Sequence, residues 1–276
     1  MTALGQSGAL LTVSPSPASI RLGIDTFSPY IDKKINMFTK PNIVVLTGAG
    51  ISAESGIKTF RDNNGLWENH SVEEVATPEG FSRNPELVYR FYNQRRAQLT
   101  EPYVAPNQGH IALAELQQKM PEHVTLVTQN VDDLHEQAGS QNVIHMHGTL
   151  RAARCLQCDT VSYWEEDFDS ATTCPRCNVG SLRPDIVWFG EMPMHMDSIE
   201  AALLDADIFI AIGTSGNVYP AAGFVQYARD AGAVTIEVNL VPSATNSLFD
   251  RTITGVASQT VPTLVSQILM DCEGLA

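Results

Sequence analysis

Four cysteines, Cys155, Cys158, Cys174 and Cys177, form two Cys-x-x-Cys pairs separated by 15 residues. Two such pairs can close on one tetrahedral ion. Four thiolates then fill a zinc coordination sphere and leave no position for water or substrate. A metal held in this way is structural. Residues from about 151 to 186 have few long apolar runs, so they are expected to form a small zinc-stapled insert. The competing reading of a Cys-x-x-Cys pair is a redox dithiol, which two pairs at matched spacing disfavour. Cysteines used in this pattern suit a reducing compartment rather than a disulfide framework. Cys272 stands apart near the C-terminus and is assigned no role.

Upstream, residues 43–46 read as a buried strand, and Gly48-Ala49-Gly50-Ile51-Ser52-Ala53 follows. This string fits G-x-G-x-x-[G/A], in which glycines let backbone N–H groups approach a pyrophosphate at a helix N-terminus. Alone it is a weak signal, since an ordinary tight turn can look the same. Further apolar, β-branched runs lie at 124–127, 207–212 and 234–238, as buried parallel strands do. Residues 110–120, with Leu113, Leu116 and Met120 on one face, read as an amphipathic helix, and so do residues 218–231.

The alternation predicts an α/β fold: a Rossmann-like doubly wound parallel sheet with a small zinc-binding insert and a helical and loop insert over the cofactor cleft. The expected organisation is one catalytic unit over 39–273. Its core comprises about 40–61, 110–150 and 187–273, and the helical and loop insert about 62–109. Residues 1–38, with Ser-Pro-Ser-Pro at 14–17, read as a flexible N-terminal extension, and Met37 offers an alternative start. A dehydrogenase carries an acid about 20 residues beyond its glycine turn to hold the ribose. Here residues 59–67 are a polar loop, so the cofactor is expected to sit differently.

The 276 residues carry 31 acidic against 17 basic side chains, a formal charge of −14. That balance argues against nucleic-acid binding, which rests on Lys and Arg pairing with phosphates. It suits electrostatic steering of basic protein segments. No apolar run nears the roughly 18 residues of a membrane helix. The apolar stretch at 8–13 has no basic residue before it, unlike a secretory signal. The expected location is the cytoplasm, with no membrane partner.

Between the glycine turn and the cysteines lie Thr128-Gln129-Asn130-Val131-Asp132 and His145-Met146-His147-Gly148. Asn130, Asp132 and His147 fall at strand ends that should line one crevice, which makes His147 the candidate general base. Side chains alternate along extended chain, so His145 points the other way and reads as structural. Tyr92 and Arg95 share a helical face at i and i+3. A phenol beside a guanidinium makes a receptor for a carboxylate, although a solvated basic face has the same pattern.

Taken together, these strings resemble the sirtuins, the NAD-dependent protein-lysine deacylases. The matching pieces are GAGISAESGIKTFRD at 48–62, TQNVDDLH at 128–135, HMHG at 145–148, the four cysteines, LRPDIVWFGE at 182–191, GTS at 213–215 and the region of Asn239. The likeness runs from about 40 to 270 and is greatest to the class III, desuccinylase-like branch, which carries a Tyr-x-x-Arg pair matched by Tyr92 and Arg95.

The resemblance implies NAD as cofactor, with one structural zinc ion. Gly48, Ala49, Gly50, Glu54, Phe60 and Arg61 would hold the pyrophosphate and nicotinamide side. Gln129, Asn130 and Asp132 would orient nicotinamide and its ribose. Gly213, Thr214, Ser215, Asn239 and Ala257 would contact the adenosine half. An acyl-lysine peptide would add as a strand between Val187-Trp188-Phe189-Gly190-Glu191 and Gly216-Asn217-Val218. Ala76 would leave room for a longer acyl chain.

In the implied reaction nicotinamide leaves, the acyl amide oxygen attacks the ribose, and His147 takes a ribose hydroxyl proton. Free lysine and O-acyl-ADP-ribose result. A histidine suits this step, since its ordinary pKa of about 6.5 lies near working pH. Three other readings stand beside this one. A dehydrogenase does not account for the cysteine insert. An ADP-ribosyltransferase would use the same cleft. A non-catalytic zinc-ribbon module leaves Asn130, Asp132 and His147 without a purpose.

Overall fold

The computed structural model describes residues 40–57, 66–67 and 70–273. Six parallel strands form the central sheet: β1 (Ile43–Thr47), β4 (Val124–Thr128), β5 (Ile144–His145), β9 (Ile208–Ile212), β10 (Val234–Asn239) and β11 (Arg251–Thr254). Their order is β11-β10-β9-β1-β4-β5. The chain runs outward from β1 through β4 to β5, then crosses back to β9 on the other side of β1. This reversal is the switch point of a doubly wound sheet, and it opens a crevice beyond the C-terminal ends of β1 and β9.

Every residue of β1 and β9 is buried. The reason is coverage of both faces. Ile43 and Val45 pack with Leu113 and Leu116 of α5 (Gln108–Lys119), and with Val261, Leu264, Val265 and Ile268 of α9 (Ala257–Glu273). The alternate residues Val44 and Leu46 meet Ile199 and Leu203 of α7 (Met196–Leu204), and Phe224, Val225 and Ala228 of α8 (Phe224–Ala231). Burying one such side chain contributes about 1.5–3 kcal/mol, so a two-sided strand needs apolar residues at consecutive positions. The expected helix at 218–231 is shorter than its pattern: a 3₁₀ turn occupies Ala221–Gly223 and α8 begins at Phe224.

Residues between β1 and α5 form α1 (Ala49–Ser52), a two-stranded pair β2 (Leu66–Trp67) and β3 (His70–Ser71), and helices α2 (Val72–Val75), α3 (Pro78–Arg83) and α4 (Pro85–Gln98). A four-residue helix α6 (Leu134–Gln137) follows β4. The third sheet is antiparallel, in the order β7 (Val161–Tyr163), β6 (Gly148–Cys155), β8 (Leu182–Ile186). Helix α4 docks on it. Tyr89 donates its hydroxyl to the Leu182 carbonyl at 2.8 Å. The buried Arg96 donates Nε to Leu150 O at 2.9 Å and lies over the Phe168 ring. Among the described residues no helix is long and apolar enough to cross a membrane.

Candidate active site

At the switch point two turns meet backbone to backbone. The Gly48 amide donates to Ile212 O and the Gly50 amide to Gly213 O, both at 2.9 Å. A Cβ on Gly50 would lie 2.6 Å from the Gly213 Cα. One on Gly213, whose φ is +63°, would lie 2.5 Å from the Ile51 nitrogen. Both positions therefore require glycine. Protein carbonyls hold the amides of Gly48 and Gly50, and the two glycines let the turns pack closely beside Ala49. Gln129 spans the same opening by donating Nε2 to Thr214 Oγ1 at 3.0 Å. Asn239 donates Nδ2 to Thr214 O at 2.7 Å. Ser215 Oγ accepts from the Asn217 amide at 3.3 Å. Residues following β4, β9 and β10 thus converge.

Glu54 faces elsewhere. Its carboxylate accepts from the backbone and hydroxyl of Ser258 at 3.0 and 2.8 Å, capping the start of α9 beside the buried Ala257. Phe60 and Arg61 lie outside the described residues, as does the extension 1–38.

His147 sits between β5 and β6, and its Nδ1 lies 3.1 Å from Gln129 O. A carbonyl only accepts, so Nδ1 carries the hydrogen and Nε2 keeps a lone pair. Burial lowers the His147 pKa, with the carbonyl acting against it. The ring is therefore neutral near pH 7. His145 behaves as the sequence suggests. Its Nε2 pairs with Glu136 at 2.7 Å, and although burial alone would lower its pKa, that carboxylate raises it.

Asn130 and Asp132 meet at a third residue. Asn130 donates Nδ2 to Ser52 Oγ, and Ser52 donates to Asp132 Oδ2, both at 3.1 Å. Asp132 Oδ1 accepts from the Leu134 amide at 3.2 Å. Burial pushes the Asp132 carboxyl up to about 6 against these hydrogen bonds.

Ser52, His110 and His135 complete this network, and the sequence reading did not single them out as site residues. His110 Nδ1 accepts from the Asn107 amide, so its Nε2–H faces Ser52 Oγ at 3.5 Å. His135 Nε2 lies 2.9 Å from Thr47 Oγ1, which donates to Thr128 Oγ1. The two rings meet edge to face at 4.9 Å. The available signal was a polar histidine on the buried face of an otherwise apolar helix, one turn before Leu113.

A second cluster lies beside His147. The Val187 amide donates to His147 O, and the Phe189 amide to Ala76 O, both at 2.9 Å. Ala76, Tyr92 and Trp188 are packed in one apolar group. Trp188 donates Nε1–H to Tyr92 Oη at 2.9 Å, and burial raises the phenol pKa so that it stays neutral. Arg95, one turn along α4, donates to Gln98 Oε1 at 3.1 Å and lies over the Phe91 ring. Phe189 is half exposed. Glu191 binds Arg183 through two contacts of 2.6 and 2.9 Å, which fixes the turn at Gly190. Gly216, at φ +69°, packs against Thr245, and Val218 O accepts from the Ala222 amide.

The four cysteine Sγ atoms lie within 4.8 Å of one another. Cys155 and Cys177 are 3.7 Å apart, Cys158 and Cys174 3.8 Å. A tetrahedron with Zn–S bonds of about 2.3 Å has edges of about 3.8 Å, so the set fits zinc. The two knuckles are copies. The amides of Cys155 and Cys174 donate to the carbonyl five residues on, Thr160 O and Val179 O, at 3.0 Å. The amides of Gln157 and Arg176 donate to the Cys155 and Cys174 Sγ atoms at 3.4 Å. Asp159 and Asn178, each following a second cysteine, share a φ of 56°, which Asp and Asn tolerate.

Residues 48–220 match the model of the Sir2 family. A protein of Yersinia pseudotuberculosis named NAD-dependent protein deacylase is 57% identical over 84% of this chain and 84% of its own length. A Pasteurella multocida protein of the same name is 56% identical over 84% of this chain and all of its own. Among solved structures, a Sir2 homolog–NAD complex is 38% identical, with a TM-score of 0.75 over 85% of this chain and 90% of that one. Sir2Af2 bound to a myristoylated histone peptide is 33% identical, with a TM-score of 0.65 over 84% and 92%.

Proposed function

The chain belongs to the Sir2 family and is an NAD-dependent protein deacylase, and we propose that it removes acetyl and acidic acyl groups, succinyl and malonyl, from protein lysines in the cytoplasm. Products are nicotinamide and O-acyl-ADP-ribose. Residues 39–273 act as one catalytic unit in this reading.

One observation carries the catalytic assignment: the Gln129 carbonyl fixes His147 with its Nε2 lone pair available. When bound, NAD supplies a ribose that becomes electrophilic as nicotinamide departs. His147 Nε2 takes a proton from a ribose hydroxyl, and Gln129 O stabilises the imidazolium through Nδ1–H. Asn130 and Asp132, locked through Ser52, orient the nicotinamide side. Gln129, Thr214 and Asn239 border the other end. The Val187–Glu191 stretch, tied to His147 O at Val187, receives the peptide strand opposite Gly216–Val218. Zinc on the four cysteines supplies folding free energy and no chemistry.

Support for acidic acyl groups comes from α4. Tyr92, which accepts from Trp188, brings a phenol, and Arg95 adds a cation one turn away. A buried carboxylate needs both. The test is one incubation of the full chain with NAD and matched acetyl- and succinyl-lysine peptides, read by mass. Loss of both acyl groups with O-acyl-ADP-ribose formed supports the proposal. Succinyl retained while acetyl is lost removes the acidic-acyl part. ADP-ribose added to protein in place of acyl loss favours a transferase.

A further inference from the structure

We infer that Glu237 is a positioning residue for the adenosine half of NAD, acting through Asn239; this rests on the reading above that Asn239 meets that half.

Glu237 lies on β10 and is 0% exposed. It makes no ion pair among the described residues, although a buried carboxylate ordinarily has a cation beside it. N–H donors take that place. Oε1 accepts from the Ser243 amide at 2.8 Å and from Asn239 Nδ2 at 3.4 Å, and Oε2 accepts from Asn246 Nδ2. Asn246 also donates to Thr252 Oγ1, and Thr252 is the β11 partner of Glu237. One donor from the end of β10 and two from the connection that follows it therefore converge on one carboxylate.

Two consequences follow from this chemistry. First, the loop after β10 is folded back over the β9 turn. The Ala244 amide donates to Ser215 O at 3.0 Å, and Thr245 packs on Gly216. Second, the Asn239 amide has one orientation. Thr214 O and the Glu237 carboxylate only accept, so both must face Nδ2. Oδ1 is thereby turned the other way, where it accepts from the Leu240 amide at 3.1 Å and keeps a second lone pair for a hydroxyl donor such as a ribose.

In Glu237→Gln, one half of the new amide donates where Ser243, Asn239 and Asn246 also donate. The loop loses at least one bond, and Asn239 loses one of the contacts that hold its amide in place. Calorimetry with ADP-ribose, a probe that needs no turnover, should show about tenfold weaker binding, equivalent to about 1.4 kcal/mol. The NAD KM should rise by a similar factor, while the peptide KM and kcat at saturating NAD stay within about twofold. Asn239→Ala serves as the control and should weaken ADP-ribose at least as much. Unchanged ADP-ribose affinity in Glu237→Gln, with a loss in Asn239→Ala, overturns the proposal alone. No loss in Asn239→Ala overturns the adenosine reading and the proposal with it. Peptide KM and kcat worsening in step with NAD would mark a general structural role and also overturn it. Should Glu237→Gln fail to fold, Asn246→Ala removes one donor to the same carboxylate. It should weaken ADP-ribose about threefold, and unchanged affinity there overturns the proposal.

Discussion

His147 Nδ1 lies 3.1 Å from the carbonyl oxygen of Gln129, so the imidazole beyond β5 is held by a backbone atom beyond the neighbouring β4. His147→Ala should lower kcat by about 10²–10⁴-fold while circular dichroism stays native. The pH profile carries the same information. A base works when neutral, and burial lowers the His147 pKa, so its protonation limits activity only below the ordinary value. Asp132, pushed up to about 6, adds its own proton there. The acid limb of kcat/KM should fall below pH about 6.5, with a plateau at neutrality. A midpoint well above 6.5 would contradict the assignment.

One zinc ion per chain is expected by elemental analysis of anaerobically purified protein. Cys155→Ala should lose the metal and the soluble fold together, since thiolate–zinc bonding contributes folding free energy. A metal-free, folded and fully active variant would remove the claim.

Arg95→Met should cut desuccinylation strongly, with about 2–5 kcal/mol lost for an unpaired buried charge, and leave deacetylation within a few-fold. Equal effects on both peptides would return Arg95 to an ordinary helix face. Tyr92→Phe is a less clean probe. It also strips the acceptor from the buried Trp188 Nε1–H, so about 1–3 kcal/mol of stability should go with it.

Acid should weaken the fold through His110. Burial holds its folded pKa at about 4, below the ordinary value of about 6.5. Between these pH values the unfolded chain binds a proton that the folded chain does not. The stabilisation present above pH 6.5 is thus lost as pH falls toward 4, with an upper value on the order of 3 kcal/mol. Asp132 runs the opposite way, because its raised pKa lets the folded form take up a proton first. His110→Asn isolates the histidine: its melting temperature should fall less than wild type between pH 7 and pH 4.5. Parallel curves would exclude His110 as the source.

The strands that could be read from sequence are those covered on both faces. β1 and β9 are near-continuous apolar runs because helices pack above and below, and β4 and β10 are rich in β-branched residues for the same reason. β11 is Arg-Thr-Ile-Thr at a sheet edge, with alternating half-buried and exposed residues, and carries too little pattern to stand out. β6, Gly-Thr-Leu-Arg-Ala-Ala-Arg-Cys, hides its strand character behind small and charged residues that pack on a small metal-held sheet. Asn130, Asp132 and His147 were legible because they follow strands. Ser52 and His110 were not, since their roles depend on hydrogen bonds between segments 58 residues apart. Glu54 reaches a helix that begins more than two hundred residues later, a contact that no local pattern could announce.

Strand β6 begins directly after His147 and ends at Cys155. At about 3.3 Å per residue, base and first metal ligand stand at most roughly 26 Å apart along one rod, which an irregularity against β8 between Gly148 and Ala153 shortens. That is several screening lengths, each about 8 Å at physiological ionic strength. The ion's charge therefore reaches the imidazole only weakly. If oxidants attack the thiolates, turnover will decline through loosening of the rod's far anchor and not through any shift in the acidity of His147. Metal damage should appear as lost protein, while the molecules that survive keep an unaltered pH profile.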